Sequence, residues 1–367
     1  MVRLTRAQQQ ERTRAAVLAA ARQEFAEHGY VEARVDRIAE RAELTRGAVY
    51  SNFPSKRALY LAVLIDTVEH VGAGQVLPVS SPGPAEALGA FARVWLERLP
   101  LAGDTPAGGH LQLRSLAGVL DDEPARTALA QVTRLEALLL ALALESRLPR
   151  HRGPVRLAEL VLTLLSGSAH LADAAPGFGD PFDVARACEH LAGIDLADAW
   201  DPPYLPYVRP AQPCQDTWIP PTELADQIIG RPVAFDADGV IAVLGTRRLA
   251  AAEEAVRAAR PGDRVTVAVV TSDPAEIGRL VRLRISDLTG CLRRVFGPDA
   301  WPRLHLVLDD HALLASAIGV PDADDATEAA VRIQEGKIVT RAHGPGAAYA
   351  AATAGASNTT RSRGTGT

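Results

Sequence analysis

Apolar residues recur at intervals of three or four through the N-terminal part of the chain, which is the spacing of amphipathic helices. The pattern predicts four successive helices, Ala7–His28, Arg34–Ala42, Thr45–Asn52 and Lys56–Val71. In the first helix Val17, Ala21 and Phe25 lie four residues apart, and Gly29 is expected to end it. Thr45 is expected to cap the third helix, because its side-chain oxygen can accept a backbone N–H there. We assign residues 1–60 to a helical N-terminal domain.

Helical spacing continues through residues 61–200, which we assign to a second helical domain. The predicted helices there are Ala85–Leu99, Gly109–Leu120, Glu123–Arg147, Pro154–Ala174 and Phe182–Trp200. Proline and glycine residues separate them. Leu135, Leu138, Leu139 and Leu142 face one way, which favours a helix buried inside a bundle.

The pattern changes in residues 201–221, which carry seven prolines and are expected to form an extended linker. Beyond it, short β-branched runs alternate with helical stretches. The predicted strands are Val240–Leu244, Arg264–Thr271, Leu304–Leu308, Ala329–Ile333 and Lys337–Thr340. The predicted helices are Arg247–Arg260, Pro274–Phe296 and His311–Ile318. Glu335–Gly336 has the length of a tight hairpin turn, so residues 222–350 are expected to form an α/β domain with a mixed sheet. Residues 351–367 are expected to be a disordered tail.

Composition excludes several classes of protein. Hydrophobic residues make up 47% and charged residues 23% of the 367 residues, as in ordinary globular chains. Cys188, Cys214 and Cys291 stand too far apart for a disulfide framework or a thiol-rich zinc site. The N-terminus lacks the apolar stretch of a secretory signal, and the longest apolar run, around Leu138–Leu144, is far shorter than a membrane span of roughly 20 residues. We therefore expect a cytoplasmic protein without a membrane partner, a metal or a cofactor.

Charge is distributed unevenly along the chain. The net charge of -5 suggests no nucleic-acid partner by itself. However, residues 1–60 hold 11 Lys and Arg against 7 Asp and Glu, whereas the remainder holds 28 against 37. A basic head on an acidic body is typical of a protein that binds nucleic acid through one end.

Two short helices joined by about three residues, Arg34–Ala42 and Thr45–Asn52, are typical of a helix-turn-helix. In such a unit the second helix enters the major groove of DNA. Arg46 or Asn52 could contact base edges, Tyr50 could donate to a phosphate, and Gly47 would let the backbone approach closely. Lys56 begins the next helix, where its charge and the helix N-terminus would both favour a phosphate. The predicted DNA-binding residues are Arg34, Thr45, Arg46, Gly47, Tyr50, Ser51, Asn52 and Lys56.

The stretches VDRIAERA (residues 35–42) and TRGAVYSNFPSKRAL (residues 45–59) resemble the N-terminal domain of TetR-type (TetR/AcrR) transcriptional regulators. The sequence departs from the family pattern at two positions. Glu43 stands in the turn where the family usually has Gly, which is expected to affect the turn geometry. Arg34 stands where a Ser or Thr N-cap is common, and is expected to replace that cap with a charge for phosphate.

The resemblance implies a homodimer that binds a palindromic double-stranded DNA operator, usually as a repressor. It also implies a small-molecule effector in the helical body that changes the spacing of the two heads. Pro154–Ala174 and Phe182–Trp200 correspond in order to the helices that pair across the family's dimer. Burial of the same helices within one subunit is the alternative.

A pocket for such an effector needs apolar walls and a few polar groups. The candidate lining residues interrupt otherwise apolar helices, and they are Phe91, Trp95, His110, Arg114 and His170. An isolated histidine such as His170 is more often a satisfied core residue or an exposed one than a ligand contact.

The element order of Val240–Arg341 resembles a thioredoxin-like fold of the peroxiredoxin or thiol-reductase type. The stretches DRVTVAVVTSD (residues 263–273), LVLD (306–309), ASAIGV (315–320) and AVRIQEGKIV (330–339) carry this resemblance. Such enzymes need a low-pKa thiolate at the start of the first long helix, where this chain has Gly245-Thr246-Arg247-Arg248. A proline expected before the hairpin is replaced by Ala326-Thr327-Glu328. The domain is therefore expected to have no catalytic activity.

Three interpretations follow. The leading one is a ligand-responsive DNA-binding repressor that is not an enzyme. The alternatives are a thiol oxidoreductase or peroxidase fused to a DNA-binding head, and a redox-responsive regulator that uses Cys188, Cys214 or Cys291.

Overall fold

The computed structural model describes residues 5–72, 83–98, 116, 118–147, 155–175, 177–196, 200–203 and 205–355. The helices are α1 Arg6–Glu32, α2 Val35–Arg41, α3 Arg46–Asn52, α4 Lys56–Gly72, α5 Pro84–Leu96, α6 Glu123–Glu145, α7 Val155–Ala174, α8 Pro181–Leu191, α9 Ala251–Ala258, α10 Arg279–Arg293, α11 Leu313–Ala317 and α12 Ala347–Thr353. The strands are β1 Gln212–Thr217, β2 Ala225–Asp226, β3 Arg231–Pro232, β4 Gly239–Gly245, β5 Arg264–Val270, β6 Leu304–Leu308, β7 Glu328–Gln334 and β8 Lys337–His343. The predicted change from a helical N-terminal region to a mixed α/β region is confirmed.

Helices α1 to α4 form the head. Thr5 caps α1 by accepting a hydrogen bond from the Gln8 backbone N–H at 3.2 Å. Gly29 ends the first helical run as predicted, because its φ of 69° and ψ of 177° are non-helical, and this kink separates it from the short run that reaches Glu32. Glycine adopts this left-handed conformation without strain. Buried side chains from all four helices then pack into one apolar cluster, which includes Val17, Phe25, Ile38, Phe53 and Leu59.

Helices α5 to α8 form the body, and α6 is its core helix. Asp122 caps α6 by accepting from the Ala125 N–H at 2.8 Å. Leu135, Leu138 and Leu139 of the predicted stripe are buried, and its fourth member, Leu142, is half-buried. The predicted helix Phe182–Trp200 is too long, because α8 ends at Leu191. Most of the predicted helix Gly109–Leu120 lies outside the described residues, and residues 118–120 form a turn instead.

Two helices, α6 and α7, are long and apolar enough to cross a membrane by length and composition alone. The longest uninterrupted apolar run, around Leu138–Leu144, had not indicated helices of this length and composition. In α6, 61% of the apolar window is buried, as in a core helix, whereas only 28% of the window in α7 is buried. Helix α7 therefore leaves apolar side chains uncovered.

The larger sheet has the strand order β1-β8-β7-β4-β5-β6. Strands β4, β5 and β6 are parallel, and β7, β8 and β1 pair antiparallel. All seven residues of β4 are buried, as expected for a central strand covered on both faces. The predicted hairpin turn is confirmed, since Glu335 and Gly336 both have positive φ, as a type I′ turn requires.

Two segments differ from their expected roles. Residues 201–221 are not an extended linker throughout, because Gln212–Thr217 forms β1 and pairs with β8. The prolines do not prevent this, since an edge strand leaves the N–H groups of one side unpaired. The boundary at residue 350 falls inside α12, which continues to Thr353, and residues 356–367 lie outside the described residues.

The α/β domain shares apolar cores with both helical units. On the body side, the Trp301 indole Nε1 donates to the Leu139 carbonyl of α6 at 2.9 Å, and both residues belong to one buried cluster. On the head side, Ile277, Leu280 and Leu283 belong to the same cluster as the side chains of α1 and α4. The head, the body and the α/β domain are therefore packed against one another.

Candidate DNA-binding interface

The helix α3 is held in the head by its buried side. Val49 and Phe53 are each only 1% exposed and anchor α3 in the apolar cluster of the head. Thr45 caps the helix by accepting from the Ala48 N–H at 3.2 Å, as predicted. The residues of this segment that remain exposed are Thr45, Arg46, Gly47, Tyr50 and Ser51. This anchoring gives α3 an outward polar face of the kind that a recognition helix presents to DNA.

Arg46 lies at the start of that face. Its guanidinium is 3.3 Å from the Asp36 carboxylate of α2 and stands 5.5 Å from the centre of the Tyr50 ring. The Tyr50 hydroxyl and the Asp36 carboxylate both raise the pKa of Arg46. The side chains of Arg46 and Asp36 are each more than 60% exposed, so the pair is weak and easily exchanged for a nucleic-acid partner.

Gly47 leaves open space beside the helix. A Cβ added at this position would meet only the Thr45 Oγ1 atom, at 3.9 Å. No neighbouring atom of the chain therefore requires glycine at this position. The close backbone approach that the sequence predicts for Gly47 concerns a bound surface, not the protein's own packing.

Ser51 and Asn52 are already engaged within α3. The Ser51 hydroxyl donates to the Ala48 carbonyl at 2.9 Å, and the Asn52 Nδ2 donates to the same carbonyl at 2.8 Å. Asn52 is also half-buried. Its amide N–H would have to leave this bond before it could contact a base.

Arg34 is the exposed N-cap residue of α2 and makes no side-chain cap, as its identity predicted. No local pattern in the sequence indicated the role of Glu24 near this N-cap. Its fully buried carboxylate accepts the Arg34 backbone N–H at 3.2 Å and pairs with Arg37 and Arg41 at 3.5 and 3.4 Å. Glu24 therefore fixes the start of α2 against α1.

Glu24 also forms an acidic group with Glu27 and His28, whose ligand atoms lie within 4.8 Å of one another. Arg41 hydrogen-bonds Glu27 and lowers the pKa of that carboxyl. Because arginines already neutralise both carboxylates, the group is an ion-pair network that braces α2 on α1.

Lys56 begins α4, as predicted, but its side chain turns toward α1. Its ammonium donates to the Val31 carbonyl at 2.9 Å and lies 4.9 Å from the centre of the Tyr30 ring. Burial lowers the pKa of Lys56. The N-cap of α4 is Ser55, whose hydroxyl accepts the Ala58 N–H at 2.9 Å.

The turn between α2 and α3 contains Glu43, the residue that departs from the family pattern there. Glu43 has a φ of 55°, in the left-handed region. A residue with a Cβ is strained there by roughly 1–2 kcal/mol, whereas glycine is not.

The α/β domain contacts the head beside these residues. Glu276 accepts hydrogen bonds from Ser55 and Arg57, and Arg57 also pairs with Asp122 at the start of α6. The Arg279 guanidinium donates to the Ala58 carbonyl at 3.0 Å. No local pattern in the sequence indicates these contacts, and those with the α/β domain join residues more than 200 positions apart.

Of the five residues predicted to line an effector pocket, three lie in the part of the chain that the structure describes. Phe91 and Trp95 are buried in α5, but His170 is exposed on α7. His110 and Arg114 lie outside the described residues.

The three cysteines differ in burial. Cys188 and Cys291 are buried, and burial raises the pKa of Cys188 to about 11. The Cys214 thiol donates to the Ile338 carbonyl at 3.3 Å. Thr246 occupies the end of β4 and donates to Asp325 at 2.7 Å.

Residues 17–63, from the middle of α1 into α4, match the family of bacterial regulatory proteins named tetR. The head is a TetR-family DNA-binding domain. The matched range contains all eight residues predicted to bind DNA. The N-terminal part of the chain thus belongs to a DNA-binding transcriptional regulator, and the predicted resemblance of the head is confirmed.

Solved structures of TetR-type regulators are similar to about half of the chain. A TetR transcriptional regulator from Rhodococcus sp. RHA1 is 20% identical, covers 50% of this chain and 97% of its own, and has a TM-score of 0.33. RolR in complex with resorcinol is 24% identical, with coverages of 52% and 93% and a TM-score of 0.34. The reduced form of NemR from E. coli is 22% identical, with coverages of 50% and 96% and a TM-score of 0.36. A search of the curated proteins finds no match.

Proposed function

We propose that the protein is a ligand-responsive repressor that binds a palindromic operator as a homodimer. The observation that carries the proposal is the TetR-family head, whose α3 keeps Arg46, Gly47 and Tyr50 exposed. A helix held in this way can enter the major groove, and a two-fold dimer then requires two half-sites about one DNA turn apart.

A genome-wide binding selection tests this function, and a palindromic site is the expected result. Tyr50→Ala should weaken binding to all sequences with little change in its salt dependence, because a neutral hydroxyl releases no counterion. Lys56→Ala should weaken binding and also reduce the salt dependence once the Lys56 ammonium exchanges the Val31 carbonyl for a phosphate. Arg46→Ala should instead relax the sequence preference if Arg46 contacts a base. Selection of sites without two-fold symmetry would contradict the proposal.

The uncovered side of α7 and α8 supports the proposed homodimer. Leu160, Leu171 and Phe182 are 37%, 40% and 74% exposed on these helices, and Phe178 between them is 70% exposed. We expect Leu160→Glu with Phe182→Glu to give monomers in analytical ultracentrifugation and to abolish operator binding. Ile219→Glu is the matched control, since Ile219 is equally exposed but lies elsewhere, and it should remain dimeric.

The proposal for the α/β domain is a thioredoxin-like scaffold without a thiol at the catalytic position of that fold. The parallel pair β4–β5 beside the antiparallel hairpin β7–β8 supports this assignment, although β6 adds a further parallel strand at the edge. Thr246 at the end of β4 supports a non-enzymatic role. No peroxide consumption is expected, and turnover by the purified protein would contradict this assignment.

A further inference from the structure

A cavity of about 450 Å³ lies between the body and the α/β domain. The C-terminal end of α6, the end of α9 and the starts of β5 and β6 surround it. Its volume is within the range of small-molecule sites, which occur preferentially at domain interfaces. Among the predicted pocket residues that the structure describes, Phe91, Trp95 and His170 do not line this cavity.

The cavity has an apolar wall that is fixed in place. Leu142, Val256, Leu304 and Trp301 contribute to it. The Trp301 indole is held by its 2.9 Å hydrogen bond to α6 and by an edge contact with the Phe296 ring, whose centre is 6.3 Å away. A rigid aromatic surface of this kind favours a flat or extended apolar group.

Two of the carboxylates that line the cavity are already neutralised. Glu145 accepts from Arg257 at 2.9 Å. Asp263 accepts two hydrogen bonds from Arg332, at 2.8 and 2.7 Å. These carboxylates therefore leave no free negative charge for a cationic ligand.

The remaining charged groups of the lining are Arg260, Arg303 and the exposed Asp299. The Arg260 guanidinium donates to the Ala354 carbonyl, which carries no charge. Within the part of the chain that the structure describes, neither Arg260 nor Arg303 is paired with a carboxylate. The lining thus offers two guanidinium groups against one carboxylate, and guanidinium groups bind carboxylates well.

We propose that this cavity binds a small amphipathic anion, an aromatic or acyl carboxylate, and that this ligand is the effector. The effector role rests on the proposed function as a DNA-binding regulator. Helix α6 connects the two sites, because Leu142 and Glu145 line the cavity at one end and Asp122 pairs with Arg57 of the head at the other. A helix of 23 residues spans about 35 Å. A ligand that shifts the far end of α6 would therefore move its contact with the head.

The binding test uses two fluorescent probes with the same aromatic frame. Anilinonaphthalene sulfonate carries the anion, and N-phenylnaphthylamine is its neutral counterpart. We expect Arg303→Ala to weaken the anionic probe about tenfold, as for loss of a charged hydrogen bond, and to leave the neutral probe unchanged. Val256→Phe, which fills the cavity, should weaken both probes at least tenfold. Arg247→Ala is the control for charge, since Arg247 is exposed at the opposite edge of the sheet and should change neither.

Equal binding of the anionic probe to wild type, Arg303→Ala and Val256→Phe would overturn the cavity as its site. The thermal unfolding of each variant is measured first, so that a folding defect is not mistaken for lost binding. The effector role is tested by operator affinity, which should change at least fivefold with the anionic probe in wild type but not in Val256→Phe. Binding in the cavity without any change of operator affinity would overturn the effector role. If the probe binds as expected but no DNA binds under any condition, the regulatory function fails and the cavity site stands.

Discussion

The contact between α10 and the head predicts that the α/β domain stabilises the DNA-binding unit. Leu280 of α10 is 1% exposed and belongs to the apolar cluster of the head. Replacing a buried leucine with alanine removes its transfer energy and leaves a cavity, at a cost of about 2–5 kcal/mol. We expect Leu280→Ala to reduce the free energy that keeps α4 packed on α10 by about 3 kcal/mol.

Hydrogen exchange measures this effect at individual backbone amides. At 1.4 kcal/mol for each factor of ten, the amides of α4 should exchange about a hundredfold faster in Leu280→Ala, provided that they exchange through local opening. Leu314→Ala is the control, because Leu314 is as buried but lies in a separate cluster that includes no residue of the head. It should destabilise the α/β domain without this local effect on α4. If α4 exchanges at the wild-type rate in Leu280→Ala, the α/β domain does not stabilise the head.

Three further substitutions test individual positions. Gly47→Ala should raise the melting temperature slightly, because alanine favours helix by up to about 1 kcal/mol and the added methyl group has room. The same substitution should lower operator affinity at least tenfold in a gel-shift assay. Unchanged affinity would mean that DNA does not approach Gly47. Glu43→Gly should raise the melting temperature, because glycine removes the strain of a Cβ at positive φ, whereas Glu43→Ala should not. Equal melting temperatures of the two variants would argue against strain in this turn. Burial and the nearby Glu328 raise the pKa of Glu254 to about 7 in the folded protein. The protonated carboxyl therefore contributes fully to folding stability below pH 4.5, and this contribution is lost as the pH rises through 7. Glu254→Gln should therefore increase the melting temperature more at pH 8 than at pH 5, and an equal increase at both would contradict the assignment.

Local signals account for the parts of the fold that the sequence predicted. The Thr45 cap of α3 and the Glu335–Gly336 turn each depend on a few neighbouring residues, and both are present in the structure. The strand β1 was missed because Pro213 signals extended linker, and only pairing with β8, over 120 residues away, makes this segment a strand.

The candidate site likewise contains positions that local signals predict and positions that depend on contacts distant in sequence. The exposed face of α3 follows from the helical spacing of Val49 and Phe53, so Arg46 and Tyr50 could be placed in advance. The direction of the Lys56 side chain could not, because the carbonyl that it contacts belongs to a kinked end of α1. The sequence predicted a helix over Pro274–Phe296, but not that one face of α10 covers the head.

Arg57 connects the head to both other units. Its guanidinium pairs with Asp122 of the body and with Glu276 of the α/β domain, and its side chain is 20% exposed. Burial opposes the charge, but the two carboxylates outweigh it and raise the pKa of Arg57. Since one side chain pairs with both partners, a displacement of α6 relative to the helical turn before α10 would stretch one of the two ion pairs. The orientation of the head is thereby linked to the relative position of the body and the α/β domain, and the cavity lies between the same two units at the other end of α6. A regulator built in this way would respond to a ligand at that junction through the C-terminal domain as well as through the helical body.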